Sequence, residues 1–286
     1  MKHRAGDNLE TVLRRAAARL SNSATPQLDV RLIARRVLDL DDAGLIVEGR
    51  REVSRDKIKT IEKYVDRRAA GEPMAYILGE KEFYGLSFAV RAPVLCPRPD
   101  TETVIEAAQQ IFASAPPTSI LDLGAGSGCL LISLLSIFPD AVGVGVDIAP
   151  HAASLARENL QRHSLLARGS ILCGDWMEAL RGSFDLIVSN PPYIADGDSA
   201  ALPPDIIGYE DPAALFAGAC GLQAYEAIAE GVADYLSPGG VVILEIGEGQ
   251  KSAVEAIAAR IGALHAAGAH KDLAGRDRAV VFRRLP

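Results

Sequence analysis

From residue 118 onward, short apolar runs alternate with longer stretches whose apolar residues recur every three to four positions. Strands are expected at about 118–123, 142–147, 169–173, 184–189, 240–246 and 279–284. Helices are expected between them at about 128–137, 150–163, 222–236 and 250–263. This succession leaves few topologies open, because each helical crossover returns the next strand parallel to the last. The fold class is therefore α/β, with a doubly wound, mostly parallel sheet. Ala269 to Arg284 adds an antiparallel edge hairpin around Gly275. Ligands of such sheets bind outside the carboxyl ends of the strands, so the residues just past each strand carry the chemistry.

Four strand ends are informative. The first runs Ile120-Leu121-Asp122-Leu123 into Gly124-Ala125-Gly126-Ser127-Gly128 and then a helix. Glycines let a ligand approach the backbone closely. The spacing is GxGxG, not the GxGxxG of dinucleotide sites, and Cys129-Leu130 stands where a phosphate loop would need lysine. The second strand ends on Asp147, placed to accept both hydroxyls of a ribose. After the third come Asp175, a partner for an adenine amino group, and Trp176, the only tryptophan, able to lie against the ring. The fourth ends in Asn190-Pro191-Pro192-Tyr193. Neither proline has an N–H to extend a ladder. The two hold an amide, two carbonyls and an aromatic ring stiffly at the site mouth. A ligand with adenine and ribose but no phosphate fits this set, and S-adenosyl-L-methionine is such a molecule.

The earlier part of the chain reads differently. Helical spacing covers residues 8–22, a helix capped at Thr25-Pro26, a short piece at 42–48, and a helix capped by Ser54 that ends near Gly71. Lys81 to Val90 reads as two strands turning near Gly85. In Pro97-Arg98-Pro99-Asp100-Thr101-Glu102, Asp100 is expected to cap the next helix. Arg98, Asp100 and Glu102 are more polar than a linker needs, which makes them second-tier site candidates.

Composition narrows the class. Of 286 residues, 49% are hydrophobic and 23% charged, as in ordinary globular proteins. The longest apolar runs are too short for a membrane span, and the start of the chain has no signal-peptide core. Cys96, Cys129, Cys173 and Cys220 have no CxxC spacing and read as reduced core or near-site thiols of a cytoplasmic protein. The five histidines are scattered, so no metal site is expected. Residues 1–91 carry 18 basic against 14 acidic side chains, and the remainder 12 against 23. The acidic later part argues against a nucleic-acid groove.

With these motifs in view, the chain resembles the class I S-adenosylmethionine-dependent methyltransferases. More narrowly, it resembles the peptide chain release factor glutamine N5-methyltransferases. The resemblance rests on Gly71-Glu72-Pro73-Met74-Ala75-Tyr76-Ile77-Leu78-Gly79, Phe83-Tyr84-Gly85, Pro97 to Glu102, Asp122 to Gly128, Asp175-Trp176 and Asn190 to Tyr193. It implies a seven-stranded Rossmann-like sheet (97–286), a β-hairpin linker (79–96) and an N-terminal helical bundle for substrate recognition (1–78). It implies cofactor contacts from Gly124 to Gly128, Asp147, Trp176 and Asn190, with S-adenosyl-L-homocysteine as product. Asn190, Pro191, Pro192 and Tyr193 would hold the glutamine of a Gly-Gly-Gln tripeptide in class 1 release factors. A monomer that touches no nucleic acid directly is expected. Two departures stand out: Cys96 where an apolar residue is usual, and Ala217-Gly218-Ala219-Cys220 where a Gly pair and an Asp are usual.

The residues leave alternatives open. An adenine amino group is also a planar nitrogen with two N–H donors, so an N6-adenine DNA or RNA methyltransferase would suit Asn190 to Tyr193 equally. A glutamine of a ribosomal protein is another acceptor, and a non-catalytic adaptor is a third reading.

Overall fold

The structure is a computed structural model that describes residues 8–178 and 180–284. The first seven residues, read above for a leader segment, lie outside them. The chain divides into two compact units, Met1–Gly79 with Pro203–Tyr209, and Glu80–Leu202 with Glu210–Pro286.

The first unit is helical: α1 Leu9–Ala17, α2 Pro26–Leu38, α3 Asp42–Val47, α4 Arg55–Ala69 and α5 Met74–Leu78. Its core is built from Val12, Val30, Ile33, Ile61, Val65 and Ile77, all buried. The capping expectations need correction. Asn8 caps α1, accepting from Thr11 N–H at 2.9 Å. Thr25 and Ser54 occupy cap positions without a side-chain cap bond. The Thr25 hydroxyl instead donates to Asp29, as does Ser23. Asp29 is buried and also takes Arg68 at 2.7 Å, so the carboxylate is compensated from three sides.

The second unit opens with a hairpin, β1 Glu80–Phe83 and β2 Leu86–Ala89. Tyr84 and Gly85 both have positive φ, the geometry of a tight two-residue turn. A 3-10 turn, Pro99–Thr101, leads into α6 Glu102–Ile111. The sheet strands are β3 Ser119–Leu123, β4 Val142–Asp147, β5 Gly169–Cys173, β6 Phe184–Ser189, β7 Leu236–Glu245, β8 Leu264–Lys271 and β9 Asp277–Arg284. Their spatial order is β5-β4-β3-β6-β7-β9-β8. All neighbours from β5 to β7 are parallel, and β9 is antiparallel to both β7 and β8. Seven strands with helices on both faces is the architecture expected.

Both faces are apolar because both are covered. Ile120, Leu186, Val188, Val241 and Ile243 pack toward α6 and α7 (Cys129–Ile137). Leu121, Leu123, Ile187, Val242 and Leu244 pack toward the helices Gln223–Gly231 and Lys251–Ile261. β3 is the switch point: the chain builds outward from it to β4 and β5, then crosses to β6 and β7. Close packing leaves no room beside β4. A Cβ on Gly145 would lie 2.7 Å from Ile171 Cδ1 and 3.1 Å from Ala125 Cβ. Gly145→Val is expected to lower stability by about 1–3 kcal/mol, read as a drop in thermal unfolding temperature with unchanged secondary structure.

Candidate active site

The glycine loop is shaped by the end of β4. Val146 C=O accepts from both Gly124 and Ala125 N–H, at 2.8 and 2.9 Å. Gly126 N–H donates to Asp147 Oδ2 at 2.8 Å, and Ala149 N–H to Oδ1 at 2.9 Å. Each carboxylate oxygen keeps a lone pair for a further donor. Burial pushes the Asp147 carboxyl up, and these two amides pull it back. The third glycine serves packing: a Cβ on Gly128, at φ +80°, would lie 3.1 Å from Ile132 Cδ1 and 3.2 Å from Ala156 Cβ. A Cβ on Gly124 would meet only Trp176, at 3.9 Å. Trp176 itself has φ +38°, a strained conformation for a large residue, and stands across from that bare glycine.

These groups enclose a cavity of about 290 Å³. Of the candidate residues, Gly124, Gly126, Asp147, Asp175, Trp176, Asn190 and Pro192 line it. Ala125, Ser127 and Gly128 are buried behind the wall. Val94, Leu95, Ile148, His151 and Asp211 are among the other residues that line it and were not singled out in the sequence. His151 Nε2 lies 3.6 Å from Asp211 Oδ2 across one side.

β6 delivers Asn190. Its Nδ2 donates to Thr101 Oγ1 at 3.1 Å, which holds the amide in place. Pro191 is buried, and Tyr193 is half-buried against the second core. Gln250 Nε2 donates to Tyr193 C=O at 2.8 Å, and Ile194 N–H to Leu215 C=O at 3.0 Å. The Tyr193 hydroxyl lies 3.5 Å from Glu245 Oε1, and burial, with the Glu245 charge next, pushes that phenol up to about 12.

Several expectations are corrected here. Asp100 does not cap α6: the 3-10 turn moves the helix start to Glu102, and Asp100 pairs with Arg278 at 3.2 Å. Arg98 pairs with buried Glu210 at 2.6 Å. Glu102 accepts from Tyr84 N–H at 2.9 Å, bracing the hairpin turn. None of these three lines the cavity. Thr101, passed over in the same segment, is the residue that reaches Asn190. Cys173 and Cys220 are exposed, and Cys173, next to cavity-lining Gly174, is of the near-site rather than the core kind. Cys96 is buried, and desolvation pushes its thiol up to about 11, as for an inert packing residue. The Ala219-Cys220 departure falls on two exposed residues between Gly218 and Gly221, whose positive φ values form the turn. Glu245 and Gln250 were also missed. Their signal is a single acid ending the apolar run Val241-Val242-Ile243-Leu244, and an amide five residues on.

The description "PrmC N-terminal domain" matches residues 11–79, and "Methyltransferase small domain" matches 102–207. A release factor glutamine methyltransferase from Bradyrhizobium diazoefficiens is 38% identical over 98% of this chain and 96% of its own. The chain belongs to the release factor glutamine methyltransferase family. A second relative of that name, from Rhodospirillum rubrum, is 40% identical over 96% of this chain and 85% of its own. Among solved structures, a Thermus thermophilus 16S rRNA methyltransferase in complex with AdoMet and guanosine is 23% identical, with TM-score 0.50. It covers 72% of this chain and 50% of that one, and shares the fold. The enzyme is an S-adenosylmethionine-dependent methyltransferase. Among the described residues no helix is long and apolar enough to cross a membrane, and no His, Cys, Asp and Glu cluster is fit to hold a metal ion.

Proposed function

We propose that this enzyme transfers the methyl group of S-adenosyl-L-methionine to the side-chain amide nitrogen (N5) of the glutamine in the Gly-Gly-Gln tripeptide of class 1 release factors. The observation that carries the reading is the Asn190 amide at the cavity wall, held through its nitrogen by the Thr101 hydroxyl.

The cavity suits the cofactor. Asp147 retains acceptor capacity for two ribose hydroxyls, Trp176 offers a ring face for adenine, and bare Gly124 allows close approach. Asp175 lines the adenine side. When bound, the cofactor supplies a methyl group already activated on a sulfonium.

A carboxamide nitrogen is a weak nucleophile because its lone pair is shared with the carbonyl, so alignment carries most of the catalytic burden. Asn190 Oδ1 accepts one of its N–H protons, and the Pro191 carbonyl accepts the other. Both acceptors favour the polarised amide whose nitrogen gains positive charge in the transition state. Tyr193 packs on the amide plane and excludes water. The helical unit supplies recognition beyond the tripeptide, which alone offers little surface.

The test is transfer of labelled methyl groups to a class 1 release factor, to its glutamine-to-alanine variant, and to DNA. Label is expected on the unmodified factor alone. Label on DNA and not on the factor would replace this reading with adenine methylation.

A further inference from the structure

The helix Lys251–Ile261 starts behind Gln250, which occupies its cap position with no side-chain cap bond. Caps are usually Ser, Thr, Asp or Asn, whose short side chains reach the first turn. The Gln250 amide is used elsewhere. Its Nε2 donates to Tyr193 C=O at 2.8 Å and to Gly221 C=O at 3.3 Å. Its Oε1 accepts from Gly247 N–H at 2.9 Å. One half-buried amide thus joins the end of the Asn190–Tyr193 segment, the turn closed by Gly221 and the loop that leaves β7.

The partners fix this amide one way round. A backbone N–H only donates and a backbone carbonyl only accepts. A flipped Gln250 would set its own N–H groups against Gly247 N–H and its oxygen against two carbonyls. The neighbours are shaped to it as well. Gly221 and Gly247 are both buried. A Cβ on Gly221, at φ +68°, would lie 2.3 Å from the Tyr193 carbonyl oxygen. A Cβ on Gly247 would lie 2.7 Å from Gln250 Oε1 and 3.1 Å from Tyr193 Cδ2. The buried Tyr225 hydroxyl, which donates to Glu245 C=O at 2.9 Å, lies 3.4 Å from Gln250 Oε1.

A segment with two prolines needs its ends held, because Pro191 and Pro192 have no N–H to enter a ladder. At one end, Asn190 Nδ2 donates to Thr101 Oγ1 at 3.1 Å. At the other, Gln250 takes the Tyr193 carbonyl, and Ile194 N–H then donates to Leu215 C=O at 3.0 Å. We propose that Gln250 is a positioning residue: its amide, acting through the Tyr193 carbonyl, holds the Pro191 carbonyl and the Tyr193 ring in register with the reacting nitrogen. This rests on the reading of Asn190 to Tyr193 as the holder of the acceptor amide given above. Gln250, Gly221 and Gly247 do not line the cofactor cavity. Loss of the Gln250 amide should therefore spare cofactor binding and tell on the transfer step.

The experiment compares wild type, Q250E and G247A as full chains, at saturating cofactor, on whichever acceptor the wild type labels. Q250E keeps the size and shape of the side chain and removes both amide protons. It is expected to lower kcat about ten- to a hundredfold, the usual effect of a displacement on the order of 1 Å at reacting groups. The acceptor KM should stay within about threefold of wild type and the cofactor Kd within about twofold. G247A keeps the amide but presses a methyl group on it and on the Tyr193 ring. Its kcat should fall in the same sense, by about three- to tenfold, again with cofactor binding preserved. Wild-type kcat in Q250E, a loss carried by KM alone, or cofactor affinity falling in step with kcat in both variants would overturn the assignment. A wrong acceptor reading shows instead in the wild type, as absence of label from the release factor.

Discussion

Asn190→Ala is expected to lower kcat by two to three orders of magnitude while leaving cofactor affinity within about tenfold. The reasoning is geometric. Asn190 is the polar residue just past β6 that lines the cavity, and its amide is held by its own nitrogen's bond to Thr101. Removing one preoriented polar group of this kind typically costs about 2.7–4 kcal/mol in the transition state. Substrate binding suffers less, because an amide in water has other partners. The loss should therefore appear in kcat rather than KM. Single-turnover transfer with preloaded cofactor separates the two effects, and an unchanged rate would remove Asn190 from the reaction.

Asp147→Ala should act on the other half of the site. Its carboxylate holds the Gly126 and Ala149 amides and, in the proposed complex, a ribose. Alanine leaves both amides without their acceptor and removes the sugar's partner. Each unmade bond costs about 1–3 kcal/mol. Cofactor affinity should fall at least about a hundredfold, which corresponds to about 2.7 kcal/mol. Isothermal titration with the cofactor or its demethylated product measures this directly. Asp147→Asn is the informative companion, since its amide places a donor against one of the two N–H groups. A weakening close to that of alanine supports the acceptor role, and retention of wild-type affinity opposes it.

The strands and the glycine loop were readable because their cause is local. Ile120 and Leu121 face opposite sides of one sheet, and both must be apolar. Gly128 cannot carry a side chain beside Ala156. What was not readable depends on pairs far apart in sequence. Thr101 and Asn190 are separated by 89 positions, and nothing near Thr101 announces the bond. Asp100 looked like a helix cap because acids before helices usually are. Its partner Arg278 comes from the other end of the chain. The start of β7 was also misplaced. Ser237-Pro238-Gly239 falls between the expected helix and strand, yet the strand begins at Leu236 and the ladder with β6 shifts register there. Glu245 alone could have been found earlier, as an acid in a run that packing would make apolar.

β9 lies between β7 and β8 although it is last in sequence. The sheet cannot be completed in chain order: β7 is made some thirty residues before the neighbour that covers its open edge. β9 also carries Arg278, whose contacts reach Asp100 on the opposite side of the sequence. During synthesis, β3 to β6 can pair as they emerge, but β7 keeps one edge open until the closing strand arrives. Non-local pairing of this kind is slow to form. All the residues that line the cavity would thus be made before the sheet is closed, and the finished sheet would be the last property to arrive.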